Sequence, residues 1–436
     1  MNYIRIVESV ILKSRYNQWY LIDVKNHEDR RLSMEKETAT VLKFLFNGKS
    51  IKETTAEFGF SDKELRTFLC SIEKDNFIEF SLKVHNSGGN CFDINPPLDG
   101  LGIFLTNACN LDCVHCYLSS GKAMKGELNG RAWIDILEQG RKMGVYAINV
   151  SGGEPCLHKD FFEIVEYISS VPIFNANLNT NGTLIDGNEK ILAQAFTSVQ
   201  ISIDDIDPNK HDAFRGKKGS FKKSISGIER LISNGVKVDV GFSLSEENFG
   251  ILDKMVDLCE NLGVTTLGIG LIANTGRAKK NNLIKPIAQS SLFLERIYQK
   301  IYTFSQEERK INIIPPFRMI LDKESQHEKK FICNGDNAQI AYVMSNGSVM
   351  PCDKLPIDMF CCGNVKKKSL HAIWTSKKMK GFKLMSPRQF PKCKKCSLLS
   401  ICGGPCIARA FQEGGSLESP DMAACFMAHK FSKENK

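Results

Sequence analysis

The chain predicts an α/β fold, a partial (β/α)6 barrel set between a small N-terminal unit and a cysteine-rich C-terminal one. Three observations carry that prediction. Strand-like and helix-like runs alternate six times between about residues 101 and 305, the pattern of parallel βα units. Three cysteines, Cys109, Cys113 and Cys116 in "CNLDCVHCY", follow the first of those strands. From about residue 306 the alternation stops, and cysteines crowd the stretch 330–436.

Residues 1–90 form the first unit. "IRIVESVILKS" and "QWYLIDVK" read as two strands joined at "RYN". A helix follows in "SMEKETATVLKFLFNGKS", with Ser33 as its cap and Gly48 at its end. Two more lie in "IKETTAEFG" and "SDKELRTFLCSIEKDN", the second capped by Ser61. "FIEFSLKV" returns as a strand, and "NSGGNCFDINPPLDG" is a linker. Short strands around three helices resemble a winged helix-turn-helix.

The barrel is expected over 91–305, with strands "LGIFLT", "AINVSG", "IFNANLNT", "VQISID", "VDVGFSL" and "TTLGIGLI". Six units are too few to close an eight-stranded TIM-like barrel, so the sheet stays partly open. Reactive groups in such folds gather past the C-terminal ends of the strands, and Cys109 falls there. Residues 306–329 bridge to the third unit, 330–436.

A length of 436 residues suits two or three domains. No apolar run is long enough to cross a bilayer, and charges interrupt the opening "MNYIRIVESVILKSRYNQWYLIDV", so neither a membrane anchor nor a signal peptide is expected. The cytoplasm is the default. The net charge of +9 raises nucleic acid as a partner. Much of the excess sits in "NVKKKS", "SKKMKGFK" and "PKCKKCS", lysine runs of the kind that face water. Residues 1–95 carry 14 Lys+Arg against 14 Asp+Glu, without the basic excess that a phosphate-binding surface needs. Neither a nucleic acid nor a membrane is expected as partner.

Sixteen cysteines are many for a reducing compartment. Cys70, Cys91, Cys156 and Cys259 are scattered, and the rest cluster with spacings that favour metal over disulfides. A structural zinc closes four ligands. Cys109, Cys113 and Cys116 make three, which on an iron–sulfur cubane leaves one iron open; a zinc site or a chance grouping is the alternative by spacing alone.

This loop resembles the signature of the radical S-adenosylmethionine (SAM) superfamily, and the resemblance extends over 101–305. "SGGEP" follows the second strand; its Gly152, Gly153 and Glu154 match the segment that holds the SAM amino group. "LNTNGT" and "ISIDD" end the next two strands and place Asn179, Thr180, Ser202 and Asp204 near the methionine or ribose part. Arg215 of "HDAFRG" matches an arginine that pairs with the SAM carboxylate. The resemblance implies that SAM chelates the open iron, is cleaved by one electron, and yields a 5′-deoxyadenosyl radical that abstracts hydrogen. An electron donor such as flavodoxin or ferredoxin is implied with it. The C-terminal order of Cys333, Cys352, Cys393, Cys396, Cys402, Cys406 and Cys425 is similar to the SPASM extension of these enzymes; two zinc ribbons are the alternative. It implies two auxiliary [4Fe–4S] clusters and so three in all. By that pattern Cys333, Cys352 and Cys406 serve the first, and Cys393, Cys396, Cys402 and Cys425 the second. Where some relatives have an eighth cysteine, this chain has His327. Either Cys361 or Cys362 of "MFCCGN" replaces it, with Cys362 the expected ligand, or the first auxiliary cluster keeps an open iron.

The N-terminal unit is similar to the peptide-recognition element, PqqD-like, of enzymes that modify ribosomally made peptides, where a leader peptide adds a strand to a sheet edge. The expected function is therefore a peptide maturase that installs a thioether or carbon–carbon cross-link in a precursor peptide. The alternatives are a SPASM enzyme acting on a folded protein, of the sulfatase-activating or quinohaemoprotein-maturation type, and an iron–sulfur redox regulator that binds DNA.

Overall fold

The computed structural model describes residues 2–15, 18–24, 30–86, 90–283, 291–316 and 339–434. The N-terminal unit runs β1 (Tyr3–Ile6), β2 (Val10–Arg15), β3 (Gln18–Asp23), β4 (Arg31–Met34), α1 (Lys36–Phe46), α2 (Ile51–Phe58), α3 (Asp62–Lys74), β5 (Ile78–Ser81) and β6 (Cys91–Phe92). The first predicted strand splits in two. β1 pairs with β5, while β2 sits in a sheet of order β4-β3-β2-β6. Ser50 and Ser61 start α2 and α3 with reciprocal capping boxes to Glu53 and Glu64. Ser33 does not cap α1. It lies in β4 opposite Tyr20, and α1 begins after Glu35 with no side-chain cap. Leu32 and Met34 flank it on the core side of the strand, so strand alternation prevails over the capping signal.

Alternation along β2 and β3 also joins this unit to the barrel. Val10, Leu12 and Leu21 point into the unit's own core, while Ile11 and Ile22 enter the barrel core with Phe92 and Leu98. Lys13, 1% exposed, reaches Asp99 at 2.9 Å, and Arg15 reaches the same carboxylate at 2.9 Å. Lys13 Nζ also donates to the carbonyls of Leu98 and Gly144, at 2.5 and 2.6 Å. Burial lowers the Lys13 pKa, and Asp99 opposes that shift. Asp99 and Gly144 precede barrel strands, so the unit docks on the N-terminal end of the barrel.

The barrel follows as β7 (Gly100–Phe104), α4 (Gly130–Lys142), β8 (Ala147–Ser151), α5 (Phe161–Ser170), β9 (Asn175–Thr180), α6 (Glu189–Ala195), β10 (Ser198–Ser202), α7 (Pro208–Arg215), α8 (Ser220–Ser233), β11 (Lys237–Leu244), α9 (Leu252–Leu262) and β12 (Thr266–Leu271). After α10 (Gly276–Lys280) and α11 (Ser291–Gln306) come β13 (Asn312–Ile314), β14 (Ile340–Val343), β15 (Ser348–Met350), α12 (Ile357–Phe360) and β16 (Gly363–Asn364). α13 (Leu370–Trp374), α14 (Lys377–Lys383), α15 (Leu399–Cys402), α16 (Ile407–Gly414) and α17 (Met422–Glu434) complete the chain. The sheet is open, with order β13-β12-β11-β10-β9-β8-β7-β14-β15-β16. Two parallel strands exceed the expected six: β13 beside β12, and β14 beside β7. Both are too short to show a period. The third unit is thus built onto the barrel sheet.

Each barrel strand has two faces. Ile148, Val150, Leu178, Val199, Ile201, Val238 and Val240 are buried in the core. The alternate residues Asn149, Asn177, Asn179, Gln200 and Asp239 are part-exposed and give the hollow a polar lining. Among the described residues no helix is long and apolar enough to cross a membrane.

Candidate active site

The three-cysteine loop is gripped from the neighbouring strand ends. Gly153 N donates to Thr106 O and Glu154 N to Ala108 O, both at 2.7 Å. A Cβ on Gly153 would stand 2.2 Å from the Ala108 carbonyl oxygen, so only glycine fits. The close approach expected there for a ligand is made by the cysteine loop itself. On the other side, Arg277 donates to Cys113 O at 2.8 Å and Ser120 O at 2.6 Å, and its amide to Cys116 O at 2.9 Å. Gly276, at φ +57°, lets that backbone approach; a Cβ would meet the carbonyls of Cys116 and Tyr117 at 2.4 Å. Arg277 carries no sequence signal, since it sits in a basic run of the kind read as solvated.

Glu154 is buried, and burial pushes its pKa up while its hydrogen bonds oppose that. Its carboxylate accepts from Thr180 Oγ1 and Asn181 N, each at 2.8 Å, and from Cys156 N at 3.2 Å. Asn110 links the same loops, donating to Thr183 Oγ1 and accepting from Asn181 Nδ2, both at 2.8 Å. In this structure Glu154 and Thr180 therefore tie strand ends together. Asn179 and Ser202 stand part-exposed on the face that lines the hollow.

Asp204 and Arg215 are both buried and pair at 2.5 Å. Arg215 Nη1 lies 3.8 Å from Cys113 Sγ, and Asp204 also accepts from Ser243 N at 2.8 Å. Burial works against the Asp204 carboxylate, yet Arg215 keeps its pKa below the ordinary range. His115, stacked on Phe214 at 4.4 Å, is pushed by burial to about 4 and stays neutral.

Burial raises several of the thiols, and neighbouring thiols add to it. Cys109 is raised to about 11, by burial first and then by Glu154, Cys113 and Cys116. Cys425 is also raised to about 11 by burial, with Cys402, Cys393 and Cys396 adding to it, so these four share one region. Cys352 and Cys406 both neighbour the Lys354 ammonium, behind the larger influence of Asp353. Cys333 and His327 lie outside the described residues. Cys362 packs against the barrel core, where burial raises it to about 11; Cys361, like Cys352, Cys393 and Cys406, packs against the small C-terminal apolar cluster. Among the described residues no three Cys, His, Asp or Glu side chains converge tightly enough to hold one metal ion. A four-iron cluster takes one thiolate per corner, and the loop holding Cys109, Cys113 and Cys116 offers three. Tyr117, next to Cys116, donates to Asp353, next to Cys352, at 3.1 Å, and this bond joins the two cysteine regions.

The radical SAM superfamily model matches residues 103–259, and the iron–sulfur cluster-binding SPASM model matches residues 333–397. The chain is a radical SAM enzyme with a SPASM domain. Its cofactors are SAM with a [4Fe–4S] cluster, and auxiliary iron–sulfur clusters. It is 28% identical over 331 residues, 71% of this chain and 91% of the relative, to an AdoMet-dependent heme synthase of Methanosarcina barkeri. It is 29% identical over 331 residues, 74% of this chain and 82% of the relative, to the mycofactocin maturase MftC of Mycobacterium tuberculosis. Its fold matches Streptococcus suis SuiB bound to the precursor peptide SuiA, at a TM-score of 0.73 and 18% identity, over 98% of this chain and 100% of that one.

Proposed function

We propose that this radical SAM enzyme is a peptide maturase that installs an intramolecular cross-link, thioether or carbon–carbon, in a ribosomally made precursor peptide. Cys109, Cys113 and Cys116 hold the SAM-cleaving cluster in this reading. Gly152, Gly153, Glu154, Asn179, Thr180, Ser202, Asp204 and Arg215 surround SAM, directly or by fixing the strand ends that meet it. SAM supplies a 5′-deoxyadenosyl group that takes one hydrogen from the peptide. The second hydrogen would leave as a proton to solvent, with its electron taken up by an auxiliary iron–sulfur cluster as the bond closes, so the product would be two hydrogens lighter. The polar lining of the hollow accepts a peptide backbone, and a flavodoxin or ferredoxin supplies the starting electron.

The observation that carries this reading is the N-terminal unit. Its strand β4 is a sheet edge, bonded only to β3, and an edge strand is a template for an incoming extended peptide. The likeness to SuiB spans this unit as well as the barrel. The unit sits at the N-terminal end of a barrel whose strands are roughly 17 Å long, at about 3.3 Å per residue. The leader must therefore be joined to the core peptide by a segment able to span that height. Leader affinity, read by fluorescence anisotropy with double-stranded DNA as control, tests the assignment. Successive strand N–H groups point to opposite edges, so one of Leu32→Pro and Ser33→Pro removes an outward donor and should weaken leader binding at least tenfold. Tight DNA binding with no leader affinity would sink it. The haem synthase likeness supports a second reading, a tetrapyrrole substrate, which predicts no leader affinity at all.

A further inference from the structure

From Met359 to Gln412 the chain carries 10 lysines and 2 arginines and not one aspartate or glutamate. The rest of the chain holds 46 basic and 49 acidic residues, so this stretch alone makes the net charge positive. Lysine runs by themselves are commonly solvated. A long stretch with no carboxylate of its own differs, because its field adds up and reaches outward to an oppositely charged partner.

The stretch surrounds the second group of C-terminal thiols. Cys396 is exposed, and Cys393 and Cys402 are half-buried. Lys392, Lys394 and Lys395 are exposed on either side of Cys393. Lys394 and Lys395 belong to the 3-10 turn Cys393–Lys395, and Lys394 N fixes that turn by donating to Phe390 O at 2.9 Å. Lys377 and Lys378 stand exposed on α14, whose Phe382 packs against the same small apolar cluster as Cys393. The carboxylate beside this region, Asp421, accepts from Cys406 N at 3.0 Å. It is 1% exposed and pairs with Arg409 at 2.7 Å, so its charge is used inside and leaves the lysines outside unmatched.

We propose that the lysine surface around Cys393 and Cys396 docks an acidic protein that carries one electron. The second auxiliary cluster, held by Cys393, Cys396, Cys402 and Cys425, exchanges an electron with it there. The thiols expected to hold a redox group open onto the patch, and electron-transfer encounters need only small contacts steered by charge. A single-stranded nucleic acid fits less well, since "PKCKKCSLLS" offers no aromatic ring on which a base could stack. No bond is made or broken in the exchange: the reduced cluster loses one electron and the oxidised carrier gains it. That direction rests on the cross-linking reading, whereas the docking rests on charge and placement alone.

The test uses the full-length enzyme reconstituted without oxygen and, as probe, a flavodoxin of net negative charge with its flavin bound. Affinity is measured by calorimetry at low and high salt. Replacing Lys392→Glu, Lys394→Glu and Lys395→Glu together should weaken binding about tenfold at low salt and flatten its salt dependence. The matching Lys→Gln set, which adds no new charge and guards against misfolding, should weaken it by a smaller factor at the parent's iron content. Lys222→Glu, Lys223→Glu, Lys254→Glu places the same charge change on exposed positions of α8 and α9 and should bind like the parent. The proposal is overturned if the Lys392, Lys394 and Lys395 sets bind flavodoxin as the parent does, or if the α8 and α9 set weakens binding as much. A DNA duplex held through these lysines more tightly than flavodoxin would overturn it equally.

Discussion

Around Cys109–Cys116 the polypeptide does the holding: Gly153 and Glu154 bond one flank, Arg277 the other, and Arg215 stands beside Cys113. Around Cys393–Cys406 it does much less. Cys393 opens a single 3-10 turn of three residues, α15 has four, and Cys396 is exposed. The local apolar cluster has six buried residues, and the rest of the C-terminal unit's core, including Leu370, Trp374, Ala423 and Met427, belongs to the barrel core. Asp421 is the main polar tie, accepting from Cys406 N at 3.0 Å and from Arg409 Nη2 at 2.7 Å. The first loop is thus preorganised by the fold, whereas the second has fewer protein ties, and its folding should depend more on cluster ligation.

The strongest test of that contrast removes thiols from each side. Cys109→Ala, Cys113→Ala, Cys116→Ala should abolish 5′-deoxyadenosine formation while leaving thermal unfolding close to the parent's. Cys393→Ala, Cys396→Ala should do the reverse to the structure: proteolysis within 386–434 should speed up more than tenfold while the barrel's amides stay protected from hydrogen exchange. Equal destabilisation by the two sets would erase the contrast.

A third variant probes the unit that shares the barrel core. Lys13→Ala leaves Asp99 buried with Arg15 alone and should cost about 3 kcal/mol, the scale for breaking a buried pair, in a single cooperative denaturation curve. Deleting residues 1–90 removes Ile11 and Ile22 from the core they share with the barrel, so the truncated chain should aggregate and not survive as a free barrel. Smallest is Arg277→Ala. It removes two side-chain bonds to the cysteine loop and should cost about 1–3 kcal/mol, read as faster iron loss from the SAM-binding cluster with iron at the other two unchanged.

Much of this was legible because it is periodic. The six barrel strands alternate apolar and polar residues and are separated by helices, and their ends carry the polar residues in order. What escaped is either short or long-range. β13 has three residues and β14 four, too few to show alternation. Lys13 and Asp99 lie 86 positions apart in the chain numbering, and nothing local marks two charges as buried partners. Glu154 reads as a ligand contact in its motif, but the fold gives its oxygens to Thr180 and Asn181. Cys361 and Cys362 are adjacent and chemically identical, so their spacing in the chain cannot tell them apart.

The central claim is that the chain modifies a peptide presented by its N-terminal unit. The direct measurement incubates the reduced, fully reconstituted enzyme with SAM and a leader-bearing candidate precursor peptide, and follows both products by mass spectrometry. The account predicts 5′-deoxyadenosine together with a peptide two hydrogens lighter, and at least a tenfold loss of that product when the leader is deleted. SAM cleavage that leaves the peptide unchanged, with turnover of a tetrapyrrole in its place, would contradict it.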